Sequence, residues 1–417
     1  MRSTMFRVLT AAALAGGLLL TGAAPVEGAT RDVRLEAGPH TGYRFSTSGA
    51  VVARRSITVS GPTASTTDRR RVVPNHSGIY LRITSGSLRG YEVLESSVAY
   101  VPGTAGDTAY RPSATVRLAA GRYLGYRFDG DGDLVSTRYG SVAAATTAKT
   151  TRRAVIDGRP YVLMSSGTWA GTWMPVTAPR GLTAQRLTCS VPAKPAAGSS
   201  VVLRRIATDE SKVALTFDLG GRLTPALDIM ERLVIDRVCA TIFPTGDAAG
   251  TTTGKAVLAM VKAHPELFEV GNHTVNHCNL RDGGGPAGCP TTPPSTARIQ
   301  DELRGAETIV SGMTGRTTKP YWRPPYGAYD TRVRGAAAAI GYSKTIMWHI
   351  DTIDWRTIKD GGPTAAAIAS KVVTNAETGS IVLMHLGGYH TYDALPSMVR
   401  RLRSDGLQPS TISDILD

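Results

Sequence analysis

The sequence predicts an α/β domain preceded by a β-rich tandem-repeat region, and three observations predict it. A unit of roughly 80 residues occurs twice in the front half. Strand-like and helical runs alternate from about residue 210 onward, the pattern of a parallel α/β architecture, open or closed into a barrel. The two halves also differ in charge: residues 30–207 carry 24 Lys and Arg against 10 Asp and Glu, whereas residues 208–417 carry 21 against 22. At 417 residues, 42% of them hydrophobic, the chain is long enough for two or three modules with sizeable cores.

The elements follow in order. Arg2 and Arg7 stand ahead of an uncharged Ala/Leu/Gly-rich stretch from Val8 to Ala24, and small residues continue to Ala29. Residues 1–29 therefore read as a secretory signal peptide, with an apolar run short for a span of ~20 residues and no following cysteine to carry a lipid. A secreted or wall-associated protein without a stable membrane span is expected. Export permits disulfides, and of the four cysteines Cys278 and Cys289, which flank the Gly-rich NLRDGGGPAG, are the expected pair. Cys239, within VCATIF, reads as a buried strand residue. Four cysteines allow three pairings, and Cys189 is placed by none of these arguments.

Residues 30–180 hold the two repeats. LEAGPHTGYRF at Leu35 recurs as LAAGRYLGYRF at Leu118, an offset of 83, and SGSLRGYEV at Ser85 is echoed by SGTWAGTWM at Ser166. Short alternating runs rich in Thr, Val, Ser and Tyr between glycines predict small β modules. Trp169 and Trp173 have two readings, as sugar-stacking residues or as core of a small barrel. The excess of basic residues points to a polyanionic partner, and in an exported protein that is an anionic wall polymer rather than nucleic acid. Residues 181–207, Pro/Ala/Ser-rich and without a sustained period, read as a linker.

In residues 208–417 strand runs are expected at 213–218, 238–243, 268–271, 321–323, 342–350 and 381–385, with helices near 225–234, 254–262, 296–311, 331–340, 363–375 and 394–404. Polar residues follow the strands. Asp218 closes the first, His273 and His277 in NHTVNH follow the third, and Arg323 in WRPPYG closes the fourth. Asp351, Asp354 and Trp355 in DTIDW follow the fifth, and His385 in LMHLGG closes the sixth. Each alone reads equally as a turn cap or a satisfied core residue. Acids, bases and metal-ligand types at five of the six strand ends form a site, because strand ends carry the chemistry in such folds.

In order and spacing, TFDLGG, HTVNH, RPPYG, DTIDW and LMH resemble the five motifs of the polysaccharide deacetylases, the NodB-homology group of carbohydrate esterase family four. The resemblance implies a distorted (β/α) barrel and hydrolysis of acetyl groups on polysaccharides. It implies Asp218 as the base that deprotonates water, and His273 and His277 as ligands of a divalent metal, usually zinc. Tyr326 would hold the oxyanion through its backbone N–H, and Arg323 would position the base. Asp354 would orient His385, the acid for the leaving amine, while Leu383 and Trp355 would line the acetyl pocket and groove. Leu219 departs from the pattern: that position usually carries a second Asp, the metal's third protein ligand, so a weakened metal site is expected. Asn272, Asn276 and His390 are the neighbours to consider for the vacancy.

The leading reading is a secreted deacetylase of N-acetylated cell-wall glycan, with peptidoglycan favoured over chitin-like oligomers and acetylated xylan. The alternative is a non-catalytic wall- or glycan-binding protein with a degenerate deacetylase fold.

Overall fold

The computed structural model describes residues 31–417 apart from positions 36, 47–48, 62, 74–75, 77–78, 95–96, 101–107, 129–133, 157–158 and 178–181. The segment read as a signal peptide lies outside the described residues. The chain divides into two compact units, one of residues 1–100 with 104–106, the other of 101–103 with 107–417.

The first unit is a seven-stranded antiparallel sheet in the order Val51–Val59, Gly38–Phe45, Glu92–Leu94, Ile79–Ile83, Thr63–Val72, Arg31–Leu35, Val98–Tyr100. Val33, Leu35, Leu81, Ile83, Leu88 and Val93 form its core. Within the second unit the strands of the second repeat take the same order: Leu134–Val142, Gly121–Phe128, Trp173–Thr177, Arg159–Met164, Thr146–Ile156, Thr108–Leu118, Thr183–Ala184. Gly38 and Gly121, at the repeat offset, open equivalent strands with φ of 131° and 145°, a region closed to residues with a Cβ. Trp169 and Trp173 are only 2% and 8% exposed, and the Trp169 indole N–H donates to the Arg138 carbonyl at 3.1 Å. Of their two readings, the structure selects the core.

The second repeat shares its interior with the α/β domain. Tyr126, Tyr161 and Trp173 belong to the same apolar core as Ile229, Leu233 and Val234. The Tyr126 hydroxyl donates to the Val234 carbonyl at 3.1 Å, and Arg159 pairs with Asp236 at 2.6 Å. Between them, the Pro/Ala/Ser-rich stretch is tied in place at several points. It contains Cys189, bonded to Cys239, and the strand Val201–Leu203. Cys278 bonds Cys289 as expected.

The α/β domain runs β1 (Val201–Leu203), β2 (Lys212–Leu219), α1 (Ala226–Ile235), β3 (Ala240–Pro244), α2 (Gly246–Gly250), α3 (Thr252–Ala263), β4 (Phe268–Val270), α4 (Thr296–Thr314), β5 (Tyr321–Trp322), α5 (Thr331–Ala338), β6 (Lys344–Ile346), β7 (Ile350–Asp351), α6 (Ala365–Asn375), β8 (Ile381–His385), α7 (Thr391–Ser404), β9 (Gln408–Ser410) and α8 (Ile412–Leu416). Capping sets the helix limits: the Ser295 hydroxyl accepts from Arg298 N–H to start α4, and Gly315 at φ 72° ends it. One parallel sheet has the order β4-β3-β2-β8-β7, with β9 also on β2; a second has the order β1-β6-β5. A parallel bridge from Asn272 to Trp322 links β4's continuation to β5. The single strand expected over 342–350 is two, because Lys344–Ile346 pairs with β5 and Ile350–Asp351 with β8.

Position along β2 decides which residues reach the site. Both faces of this strand are covered, as parallel sheets require. Val213, Leu215, Phe217 and Leu219 enter the core shared with α1, whereas Ala214 joins Phe243, Ile346 and Ile381 in a separate cluster. Alternation therefore puts Thr216 and Asp218 on the face opposite Leu219.

Candidate active site

Asp218 sits at the end of β2, register partner of His385 on β8. Its carboxylate is buried and accepts from Arg323 Nη1 at 2.6 Å. Arg323 is itself wholly buried, with Nη2 donating to Thr216 Oγ1 at 2.8 Å and Nε to the Ile346 carbonyl at 3.1 Å. Its guanidinium lies 4.3 Å from the Phe243 ring centroid. Burial by itself raises the Asp218 pKa, but the charge of Arg323 and the neighbouring groups outweigh it, so the carboxyl titrates below its usual range. Such a buried pair orients both partners, and removing Arg323 would leave a carboxylate buried and unpaired, a loss of about 3–5 kcal/mol.

His385 has the opposite polarity. Its Nδ1 lies 2.7 Å from Asp354 Oδ1, and its backbone N–H donates to Asp354 Oδ2 at 2.9 Å. The Thr391 hydroxyl also donates to Asp354 Oδ2. Gly388 makes room for this cluster, since a Cβ there would lie 2.3 Å from Asp354 Oδ2. Burial opposes charging His385, but the hydrogen bond and charge of Asp354 prevail and raise its pKa above the ordinary imidazole value. The Asp354 bond occupies Nδ1 and leaves Nε2 as the ring's other nitrogen for exchange with a ligand.

The two other histidines lie on a strained loop after β4. Thr274 and His277 have φ of 68° and 57°. The buried Glu302 on α4 offsets this by accepting the N–H groups of Val275 and Asn276 at 3.0 and 2.9 Å. The rings of His273 and His277 come together, centroids 4.9 Å apart. His273 Nδ1 lies 2.9 Å from the Arg323 carbonyl, which fixes it as the donor nitrogen and leaves Nε2 unprotonated, 3.4 Å from Asp218 Oδ2. Burial lowers the pKa of both rings, that of His277 to about 3, with His273 adding to the effect. Both are neutral, so the unprotonated Nε2 of His273 faces the Asp218 carboxylate.

A metal is the occupant that the motif resemblance implies, but the donor set does not complete its site. Leu219 is fully buried in the core on the other face of β2, away from Asp218. Asn272 Nδ2 donates to the Leu303 carbonyl at 2.9 Å and to Tyr342 Oη at 2.8 Å, while its Oδ1 accepts from Thr274 N–H. Asn276 Nδ2 reaches Asp247 at 3.2 Å, so both asparagines are committed elsewhere. Among the described residues no group of three His, Cys, Asp or Glu side chains is arranged to hold a metal ion. Two imidazoles alone do not make the three-ligand centre of a catalytic zinc.

The remaining expected residues surround this centre. Leu383 is buried on β8 as register partner of Thr216, one inward step below His385. Tyr326, at φ 61°, is 57% exposed and its ring meets that of His277 at 4.7 Å. Trp355 is 49% exposed beside Asp354. Thr216, Thr391 and Glu302 also take part and were not singled out in the sequence. Thr216 precedes Asp218 by one strand period, a signal that was available; Thr391 and Glu302 reach the site only through the tertiary fold.

Residues 205–345 match the family model described as polysaccharide deacetylase. The chain is 27% identical over 220 residues to the peptidoglycan-N-acetylmuramic acid deacetylase PdaA of Bacillus subtilis strain 168, covering 50% of this chain and 73% of that protein. It is 28% identical over 185 residues to a chitooligosaccharide deacetylase of Azorhizobium caulinodans, covering 44% and 77%. Among solved structures, a CE4 family pseudoenzyme from Bacillus anthracis aligns with a TM-score of 0.45 at 26% identity, over 52% of this chain and 70% of that one. Residues 205–345, which hold the first three of the five motifs gathered at this site, match the polysaccharide deacetylase family.

Proposed function

We propose that this protein is a secreted hydrolase that removes N-acetyl groups from cell-wall glycan, with peptidoglycan the favoured substrate. One observation carries the reading: Asp218 and His385 are register partners whose buried companions push their proton affinities apart, Arg323 keeping one ionised and Asp354 favouring the charged form of the other. A base and an acid set on one face in this way suit amide hydrolysis, in which water must lose a proton and a poor amine leaving group must gain one.

In this reading water rests where the lone pairs of Asp218 and His273 converge, donating its O–H groups to them. Asp218 takes the proton as the oxygen attacks the acetyl carbonyl, and the Tyr326 backbone N–H faces the oxyanion that forms. His385 gives its proton to the amide nitrogen as the C–N bond breaks, leaving acetate and a free amine. The carbonyl polarisation a metal would supply is not assigned to any step, since the ligand set is incomplete. Leu383 and Trp355 bound the acetyl group and the sugar.

Acetate release from purified peptidoglycan and from N-acetylglucosamine oligomers tests this. Release abolished by Asp218→Asn supports it, and none from any substrate, with or without zinc, sinks it. The displacement of Leu219 into the core favours a second reading, a glycan-binding groove without hydrolysis. That reading expects Asp218→Asn and His385→Gln to bind glycan as the wild type does, with no acetate released by any of the three. The basic front half serves either reading by bringing the protein to anionic wall polymers.

A further inference from the structure

A cavity of about 570 Å³ lies where the second repeat meets the α/β domain, and the chemistry above does not use it. Arg186, Arg237 and Arg403 line it together with Gln185 and Gln408, and no Asp or Glu does. Gln408 is the register partner of Lys212 at the start of β2, whereas Asp218 and His385 pair near that strand's other end, about 20 Å along it. The cavity is therefore separate from the candidate active site.

The three guanidiniums find only neutral acceptors. Arg186 Nη1 donates to the Ala120 carbonyl at 3.0 Å, and Arg403 Nη1 and Nη2 donate to the Asp236 and Arg237 carbonyls at 3.0 and 2.9 Å. Arg237 Nη2 donates to the side-chain oxygen of Gln185, and the charge of Arg237 also acts on the Tyr126 hydroxyl, which burial keeps neutral. Among the described residues, the buried Arg237 Nη1 and Arg403 Nε have no hydrogen-bond partner. The Asp236 carboxylate acts on Arg403 but is itself paired with Arg159 at 2.6 Å. Burial first, and the charge of Arg237 second, lower the Arg403 pKa to about 10, as expected of a cation whose surroundings do not neutralise it. Arg237 stands just after the C-cap of α1 at φ 53°, a conformation that glycine usually supplies, so the backbone there is strained while carrying this side chain.

A partly buried cluster of like charges lacks an anion. A carboxylate brings one negative charge, whereas a phosphate monoester brings up to two with three acceptor oxygens and a phosphodiester chain brings one per link, and the guanidinium fork matches either. We propose that this cavity binds a phosphate group, with Arg186, Arg237 and Arg403 supplying charge and N–H donors where Gln185 now offers a neutral oxygen. A soluble phosphate and an anionic phosphate polymer present the same chemistry to it. Because the lining comes from both the repeat and the α/β domain, the occupant also stabilises their joint.

The full chain is titrated with inorganic phosphate, glycerol 3-phosphate, short glycerol phosphate oligomers and acetate at matched ionic strength, reading melting temperature and calorimetric affinity. The phosphate-bearing probes are expected to bind and to raise the melting temperature, and acetate to do neither. Arg186→Gln, at an exposed position, should weaken phosphate binding about tenfold or more, the loss of one charge-assisted hydrogen bond. Gln185→Glu puts the missing carboxylate into the cavity. It should melt above the wild type in phosphate-free buffer and bind phosphate about tenfold or more weakly. Tighter binding of the oligomers than of glycerol 3-phosphate identifies a polymer as the source of the group, and the reverse order identifies a soluble phosphate. Equal responses to phosphate and acetate, unchanged phosphate affinity in either variant, or a Gln185→Glu protein that melts below the wild type overturns the inference.

Discussion

Asp218 and Leu219 are adjacent, yet one faces the site and the other the core, so substitutions at the two have different consequences. Asp218→Asn keeps the shape but removes the proposed base, and acetate release should fall by about 10²–10⁴-fold with glycan affinity retained. Leu219→Asp puts a carboxylate into a fully buried apolar position, where loss of a leucine alone costs about 2–5 kcal/mol and an unpaired charge more. Its melting temperature should drop in chelator, and stoichiometric zinc should leave the wild-type melting temperature unchanged, since two imidazoles do not complete the site. A clear zinc-induced rise in the wild type would restore the metal centre that the motif resemblance implies.

The pH dependence also belongs to single residues. Burial disfavours charged His385, and Asp354 more than compensates, so the folded-state pKa lies above the unfolded value of about 6.5. The stability from this pair is complete below that unfolded value and is lost as pH rises through the raised folded one. In Asp354→Asn burial is opposed by less, so the His385 pKa falls. The alkaline limb of acetate release, which reports the protonated acid, should move to lower pH. Matching limbs in wild type and variant would remove His385 as the acid.

Among elements, the join between the second repeat and α1 governs stability. Tyr126 and Tyr161 share the α1 core, and Arg159 faces the nearly inaccessible Asp236 at the helix end. Arg159→Ala leaves that carboxylate with the more distant Arg232, at 3.8 Å, and should cost about 3 kcal/mol in denaturant unfolding. A fragment beginning at residue 208 loses this face and the Cys189–Cys239 bond, and should unfold at lower temperature than one beginning at residue 108. Equal melting of the two fragments would show that the repeat is only appended.

For the whole molecule, division of labour follows from where the second repeat belongs. The first unit has its own core, so deleting residues 31–100 should leave acetate release from soluble oligomers intact. It should weaken retention on isolated walls, and retention of the full chain should itself fall with added salt, because exposed charges screen within ~10 Å at 0.1 M. Unchanged sedimentation with walls after the deletion would transfer the wall-binding role to the second unit.

The repeat period, the succession of parallel strands and helices, and the residue types at the strand ends can all be read from the amino-acid order. Those are local properties: alternation, helical period and glycine at positive φ each depend on near neighbours. Asp218, His273, His277, Arg323, Asp354 and His385 were legible because each closes or follows an apolar run. The tertiary structure decided which face each strand end presents, and so sent Leu219 into the core, Trp169 and Trp173 into an interior, and Thr391 and Glu302 to the site from distant helices. It also split the strand expected over 342–350 and fused the second repeat to the α/β domain. These depend on which surfaces pack against one another, and residues far apart in the chain reveal that only once the fold has brought them together.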